Sequence, residues 1–229
     1  MFLSRRATQA EYTDSPNLPF QEVADNYRQL ARVNRFLAFA DLFTRHLVKW
    51  LGRQHCRQLR ILDVGAGDGS LGRTMTLWAA ARGWAWEVTN LDMNGFALQL
   101  NPEGRNVQGI VTALPFPNDS FDLVIASQMT HHLKTLDDVV CHFKEAGRVS
   151  RDAVFICDLH RNAGSYGCLM VLLRLLGVSA SIREDGLLSI KRGWRIQEWN
   201  SLVRQAELPE PKVWLYYGSR IVLQARKTS

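Results

Sequence analysis

The chain contains no CxxC pair. Its four cysteines, Cys56, Cys141, Cys157 and Cys168, are scattered, so neither a zinc ribbon nor a disulfide framework is indicated, and no metal is expected. A reducing, cytoplasmic setting fits this usage. There is no long hydrophobic run either. The most apolar stretch, "YGCLMVLLRLLG", falls short of the roughly 20 residues a membrane span needs and carries Arg174. The first residues, "MFLSRRATQAEY", lack the apolar centre of a signal peptide. Lys and Arg (28) outnumber Asp and Glu (22), giving a formal charge of +6, but no run of about five or six basic residues forms. No nucleic-acid partner is therefore expected. Repeats and low-complexity segments are absent as well.

What is present is enough apolar material for one core: 46% hydrophobic residues in 229. The first dozen or so residues, with Pro16 and Pro19, read as an extended arm. From Phe20 to about Gly52 apolar residues recur at helical spacing, which predicts two helices broken near Asn34. Strand-like runs follow, "RILDVG", "WEVTNLD", "NVQGIV", "FDLVIAS" and "AVFICDL", with helices starting near Ser70, Asn94 and Leu136. That alternation predicts an α/β fold with a doubly wound, mostly parallel sheet covered on both faces. The tail reads as an amphipathic helix, "RIQEWNSLVRQAEL", and then an antiparallel hairpin around Gly218 and Ser219, for seven strands in all. A single domain is expected, with an N-terminal helical cap (1–57), a core (58–159), a helical lid insertion (160–194) and a terminal helix and hairpin (195–229).

"ILDVGAGDGSLG", Ile61 to Gly72, places a glycine-rich turn between the first strand and the first core helix. Such a turn brings backbone N–H groups to the carboxyl edge of the sheet, where ligands bind. The pattern is Asp63-x-Gly65-x-Gly67-x-Gly69, whereas a dinucleotide fingerprint would need glycine at Ser70. An acidic residue two places before the first glycine suits a cationic ligand portion and would repel a pyrophosphate. A tight turn with close helix packing remains the plainer alternative. Asp92, at the end of "VTNLD", either accepts both hydroxyls of a ribose or caps the helix "NGFALQL".

In order and spacing, "LDVGAGDGSLG", "LDMN", "ALPFPNDSFDLVIAS" and the following "HHL" resemble class I S-adenosylmethionine-dependent methyltransferases, a Rossmann-like family. The likeness covers about Ile61 to Leu159 and is nearest the small-molecule branch with the ubiquinone and menaquinone enzymes. "DLHRN" is also similar to methyltransferases of secondary-metabolite pathways. The resemblance implies S-adenosylmethionine as cofactor and S-adenosylhomocysteine as product. It places the methionine portion against Gly65, Gly67 and Gly69, its ammonium toward Asp63, the ribose on Asp92 and the adenine on Met93. Asp68, Val111, Thr112, Ser127 and Gln128 complete the implied cofactor set. One departure stands out: many relatives carry an acidic residue where "GIVTALPF" has Ile110, so adenine would be read by backbone near Val111 and Thr112 and by apolar stacking.

For the acceptor, "SQMTHH" replaces the Asp/Asn-Pro-Pro-aromatic tetrad of base and amide N-methyltransferases. An oxygen or an activated ring carbon is then expected. His131 and His132 are candidates for proton removal, since histidine titrates near neutrality; a loop-stabilising or cofactor-touching role is the alternative. His160, Arg161 and Tyr166 are candidates for holding the acceptor, or else a helix cap. The apolar Tyr166–Leu176 stretch either roofs the pocket or packs into the core or a dimer interface. The resulting expectation is methylation of a small hydrophobic or aromatic acceptor, at oxygen, by a monomer or homodimer. The alternatives are C-methylation, a tRNA or protein substrate, and a non-catalytic cofactor-binding scaffold.

Overall fold

Seven strands follow one another as β1 (Gln58–Val64), β2 (Ala85–Asp92), β3 (Arg105–Gln108), β4 (Phe121–Ser127), β5 (Ser150–Leu159), β6 (Lys212–Tyr216) and β7 (Arg220–Arg226). In the computed structural model, which describes residues 3–15, 17–37 and 40–227, they form one sheet in the order β3-β2-β1-β4-β5-β7-β6. Strands β1 to β5 are parallel, and β7 runs antiparallel to both β5 and β6. The central strands are apolar on both faces. Leu59 and Ile61 of β1, with Leu123 and Ile125 of β4, pack into one core; Leu62, Val64, Val124 and Ala126 pack into the other. This period-two split is what a sheet buried on both sides requires.

The helices are α1 (Phe20–Phe36), α2 (Leu47–Leu51), α3 (Ser70–Ala80), α4 (Gly95–Gln99), α5 (Leu136–Val149), α6 (Ala163–Leu175), α7 (Ala180–Arg192) and α8 (Ile196–Ala206). A wider π-helical turn, Leu42–His46, leads into α2. Helices α2 and α3 cover the face of Ile61 and Phe155, while α5 and α8 cover the face of Leu62 and Ile156. Local capping sets the starts. Thr135 and Asp138 bond each other's backbone N–H at the head of α5, and Asn94 accepts from Phe96 N and Ala97 N at the head of α4. Asn94, and not Asp92, is therefore the cap of that helix.

A third cluster lies away from the sheet: Val33 of α1, Leu173 of α6, Val178, and Ile182 of α7, with Leu30, Leu169 and Leu187 against them. The N-terminal helix and the two helices between β5 and α8 thus pack on one another. Among the described residues no helix is long and apolar enough to cross a membrane.

Three expectations need correction. Helix α1 runs unbroken through Asn34 to Phe36. β3 stops at Gln108, because Gly109 N bonds Asp92 O and Ile110 turns to pair with Ala113. Pro16 lies outside the described residues; the rest of the arm includes a 3-10 turn at Tyr12–Asp14 and is bonded to α7 rather than free.

Phe143 is fully buried and meets Trp199 edge to face, with ring centroids 5.7 Å apart. Phe143→Ala is expected to lower the unfolding free energy by about 3–5 kcal/mol. Leu77→Ala, on the exposed side of α3, is expected to change it by less than about 0.5 kcal/mol. Urea titrations of both variants check the contrast.

Candidate active site

From β1 the chain goes outward to β2 and β3 and then returns to place β4 on β1's other side. At such a reversal the loops after the two strands diverge and leave a crevice at the carboxyl edge. The loop after β1 carries the glycines. Gly67 has φ 57°, and a Cβ there would meet the ring of Tyr27 from α1, so glycine is required on both counts. A Cβ at Gly65 would overlap the Met129 side chain from the turn after β4. The loop is held open by Asp92, whose Oδ2 accepts Gly67 N at 2.8 Å and whose Oδ1 accepts Asn94 N at 2.8 Å.

Carboxylates dominate this loop. Asp63 is buried, and its Oδ2 has no hydrogen-bond partner. Burial first, then Asp92 and Asp68, push its carboxyl up to about 7. Burial also raises Asp92, against the pull of the Asn94 and Gly67 N–H groups. Asp68 accepts Ser70 N at the head of α3. Three acids around one loop, one of them orphaned in the interior, leave a place short of positive charge. Beside it, Met93 is 72% exposed and Ile110 54% exposed, two apolar side chains left toward solvent at the ends of β2 and β3. The turn holding Val111 and Thr112 is tied to α5, where Cys141 Sγ donates to Thr112 O. A ligand with an amino group, a ribose and a flat apolar base fits this set.

The turn after β4 is bent sharply. Beyond Ser127, Gln128 has φ 53°, a left-handed conformation rare outside glycine, and is fixed by Gln128 N donating to Cys157 O and by its amide donating to Asn34 Oδ1 of α1. A 3-10 turn, Thr130–His132, follows. His131 is buried; its backbone N–H donates to Asp158 Oδ2 at 2.6 Å, and its Nδ1 lies 2.6 Å from Asp158 Oδ1. Burial alone would push Asp158 up, but His131 and the Leu159 N–H hold it below the usual carboxylate range. The hydrogen between them is assigned to Nδ1, and Nε2 has no hydrogen-bond partner. His132 meets Asp14 Oδ1 through Nδ1 at 2.7 Å.

The N-terminal arm closes over these histidines. Glu11 is buried with Oε1 3.7 Å from His131 Nε2, and burial pushes its carboxyl up to about 7 against His132, Ser189 and Arg192. Arg6 donates to the carbonyls of His131, Leu133 and Arg192 and lies over the Trp194 ring. One face of α7 holds the arm: Asp185 accepts Tyr12 N and Thr13 N, Ser189 donates to Glu11, and Arg192 donates to Asp14.

Sequence reasoning missed Asp158, Glu11, Asp14, Arg192 and Tyr27. Asp158 had a signal, a carboxylate inside the apolar run "AVFICDL". The Asp185, Ser189, Arg192 stripe had another, the i, i+4, i+7 spacing of one helix face. Glu11 and Asp14 had none, since only the folded arm brings them in. The residues expected to hold the acceptor have other partners. Arg161 is fully buried and spends its donors on Leu3 O, Gly193 O and Glu198 Oε1. His160 Nδ1 faces Gly218 O, and Tyr166 lies under the Lys191 ammonium. His160 and Arg161 border a separate open hollow of about 740 Å³ with Leu3, Arg195 and Leu215.

Comparisons with known proteins bear on the same segment. The methyltransferase-domain family matches residues 62–157. The chain is 33% identical over 102 residues to a ubiquinone/menaquinone biosynthesis C-methyltransferase of Burkholderia vietnamiensis, covering 39% of this chain and 41% of the relative. It is 30% identical over 107 residues to a botryococcene C-methyltransferase of Botryococcus braunii, covering 42% of this chain and 26% of the relative. The matches thus span less than half the length of these curated relatives. Among solved structures, a SAM-dependent methyltransferase of Thermotoga maritima superposes with a TM-score of 0.62 at 16% identity, covering 91% of this chain and 98% of that one. Residues 62–157, the glycine loop through the end of β5, thus match the methyltransferase-domain family, and the fold around them is the one seen in solved SAM-dependent methyltransferases.

Proposed function

We propose that this chain transfers a methyl group from S-adenosylmethionine to an ionisable hydroxyl of a small apolar or aromatic acceptor. The observation that carries the reading is the buried, unpartnered Nε2 of His131, fixed by Asp158 at the crevice between β1 and β4. The cofactor supplies an electrophilic methyl group on a sulfonium, so the protein's task is alignment and, for a neutral acceptor, removal of a proton.

Asp63 receives the cofactor's ammonium, Asp92 its ribose hydroxyls, and Met93 with Ile110 flank its adenine. Gly65, Gly67 and Gly69 let the backbone approach, with Asp68, Val111, Thr112, Ser127 and Gln128 forming the walls. His131, with His132 beside it, takes the acceptor's proton; Asp158 orients the imidazole and offsets the charge it gains. Tyr27, the arm and helices α6 and α7 keep water out. The whole chain then acts as one unit, core plus cap plus lid. A second reading, transfer to the carbon next to an enolised or phenolic hydroxyl, is favoured by the names of both relatives, which are C-methyltransferases. It uses the same proton removal.

Two outcomes are expected. Because Asp63 in the free protein titrates near 7, an ammonium placed on it favours its ionised form. Affinity for S-adenosylhomocysteine should therefore hold above pH 7 and fall below it by about tenfold per pH unit, with proton release on binding. Asp63→Asn should flatten that profile. Calorimetry in buffers of different ionisation enthalpy reads both quantities, and a flat wild-type profile removes Asp63 from the cofactor's cationic side. For the acceptor step, His131→Gln should lower the single-turnover methylation rate by about 10²–10⁴-fold while S-adenosylhomocysteine affinity stays nearly unchanged. A near wild-type rate with a raised acceptor KM would leave alignment alone as the source of catalysis.

A further inference from the structure

Glu11, His131 and His132 each offer one ligand atom within 4.8 Å of the others. We infer that they form a binding site for a zinc-class divalent cation, with Glu11 from the arm and the Nε2 atoms of the two histidines as ligands.

Each histidine ring is held at Nδ1 by a carboxylate, His131 by Asp158 Oδ1 at 2.6 Å and His132 by Asp14 Oδ1 at 2.7 Å. A carboxylate behind the far ring nitrogen is the arrangement that orients metal-binding histidines and raises their basicity. It leaves Nε2 as the coordinating atom on both rings. His131 Nε2 supplies an independent sign: it is buried, has no hydrogen-bond partner, and lies 3.7 Å from Glu11 Oε1. That separation is too long for a hydrogen bond and suits two ligands of one ion. The rings themselves lie side by side, with centroids 4.2 Å apart.

The local charge allows a cation. Glu11, Asp14 and Asp158 face two guanidiniums, Arg6 and Arg192. Arg192 is matched by Asp14 at 2.7 Å, and Arg6 is bonded to backbone carbonyls. Arg192 Nη1 also stands 3.4 Å from Glu11 Oε1 and competes for that carboxylate. Two imidazoles and one carboxylate select zinc, cobalt or a similar ion over magnesium or calcium, which prefer oxygen ligands throughout. Three protein ligands leave a fourth position for water or for an ionised acceptor oxygen. An ion here would clip the arm to the turn after β4. Resting on the proposed reading, it would also stabilise the acceptor's oxyanion in place of a bare imidazole.

The test uses the full chain, stripped with a chelator and titrated with Co²⁺ and then Zn²⁺ without cofactor or acceptor. The expected result is stoichiometric uptake of a single ion, visible absorption of four-coordinate cobalt, and displacement by zinc. Glu11→Gln and His132→Gln should each weaken binding by more than about tenfold, and Asp14→Asn, which orients His132 and also pairs with Arg192, by about 10–100-fold. Circular dichroism and S-adenosylhomocysteine binding by each variant separate loss of the ion from loss of the fold. No stoichiometric uptake by the wild type, or uptake unchanged in folded Glu11→Gln and His132→Gln proteins, overturns the site. Because no methyl transfer is measured, that failure would leave the histidines as unmetallated acid–base groups and the methyltransferase reading intact.

Discussion

Asp158, buried near the end of β5, accepts hydrogen bonds from His131 N, His131 Nδ1 and Leu159 N. A carboxylate at that depth costs several kcal/mol unless it is matched by hydrogen bonds and charge. The turn after β4 is therefore tied to β5 at one residue, and the His131 ring has a single orientation. Much else follows from that constraint. With the ring and its N–H turned toward Asp158, the His131 carbonyl is left to Arg6 of the arm and Arg192 of α7. The arm and α7 are thus fastened to the turn through His131.

The glycine loop has the opposite electrostatic character. Asp158 is fully matched, whereas Asp63 keeps an unpartnered oxygen among two further acids. Asp92 is held by the Gly67 and Asn94 N–H groups. Such a loop is left short of positive charge, a common trade of stability for function. Tyr27 packs against Gly67 and is raised by burial and by the nearby Asp92, Asp68 and Asp14, so it covers the loop as a neutral phenol.

Helices α1, α6 and α7 share their own small core, Val33, Leu173, Val178 and Ile182, separate from the two cores of the sheet. Helix α7 links its two duties. Ile182 faces that small core, while Asp185, Ser189 and Arg192 hold the arm.

The sequence alone determined the layers and the cofactor side. Alternating apolar runs such as "FDLVIAS" specify strands buried on both faces, and the spacing of Asp63, Gly65, Gly67 and Gly69 is a local property of one strand, one turn and one helix. Asn94 and Thr135 set helix starts through bonds to residues two or three places on, which is also local. The histidine turn was legible only in part, since "HHL" marks the histidines but not what surrounds them. Glu11 and His131 are 120 positions apart, and Asp158 follows His131 by 27, so their meeting depends on strand order and on how the arm packs. His160 and Arg161 drew attention because they carry functional groups beside β5, yet their partners, Gly218 and Glu198, come from the distant hairpin and from α8. Short-range chemistry is written in spacing; which charges are paired, and which are left open for a ligand, is decided by tertiary packing, because it alone determines who shares a buried volume.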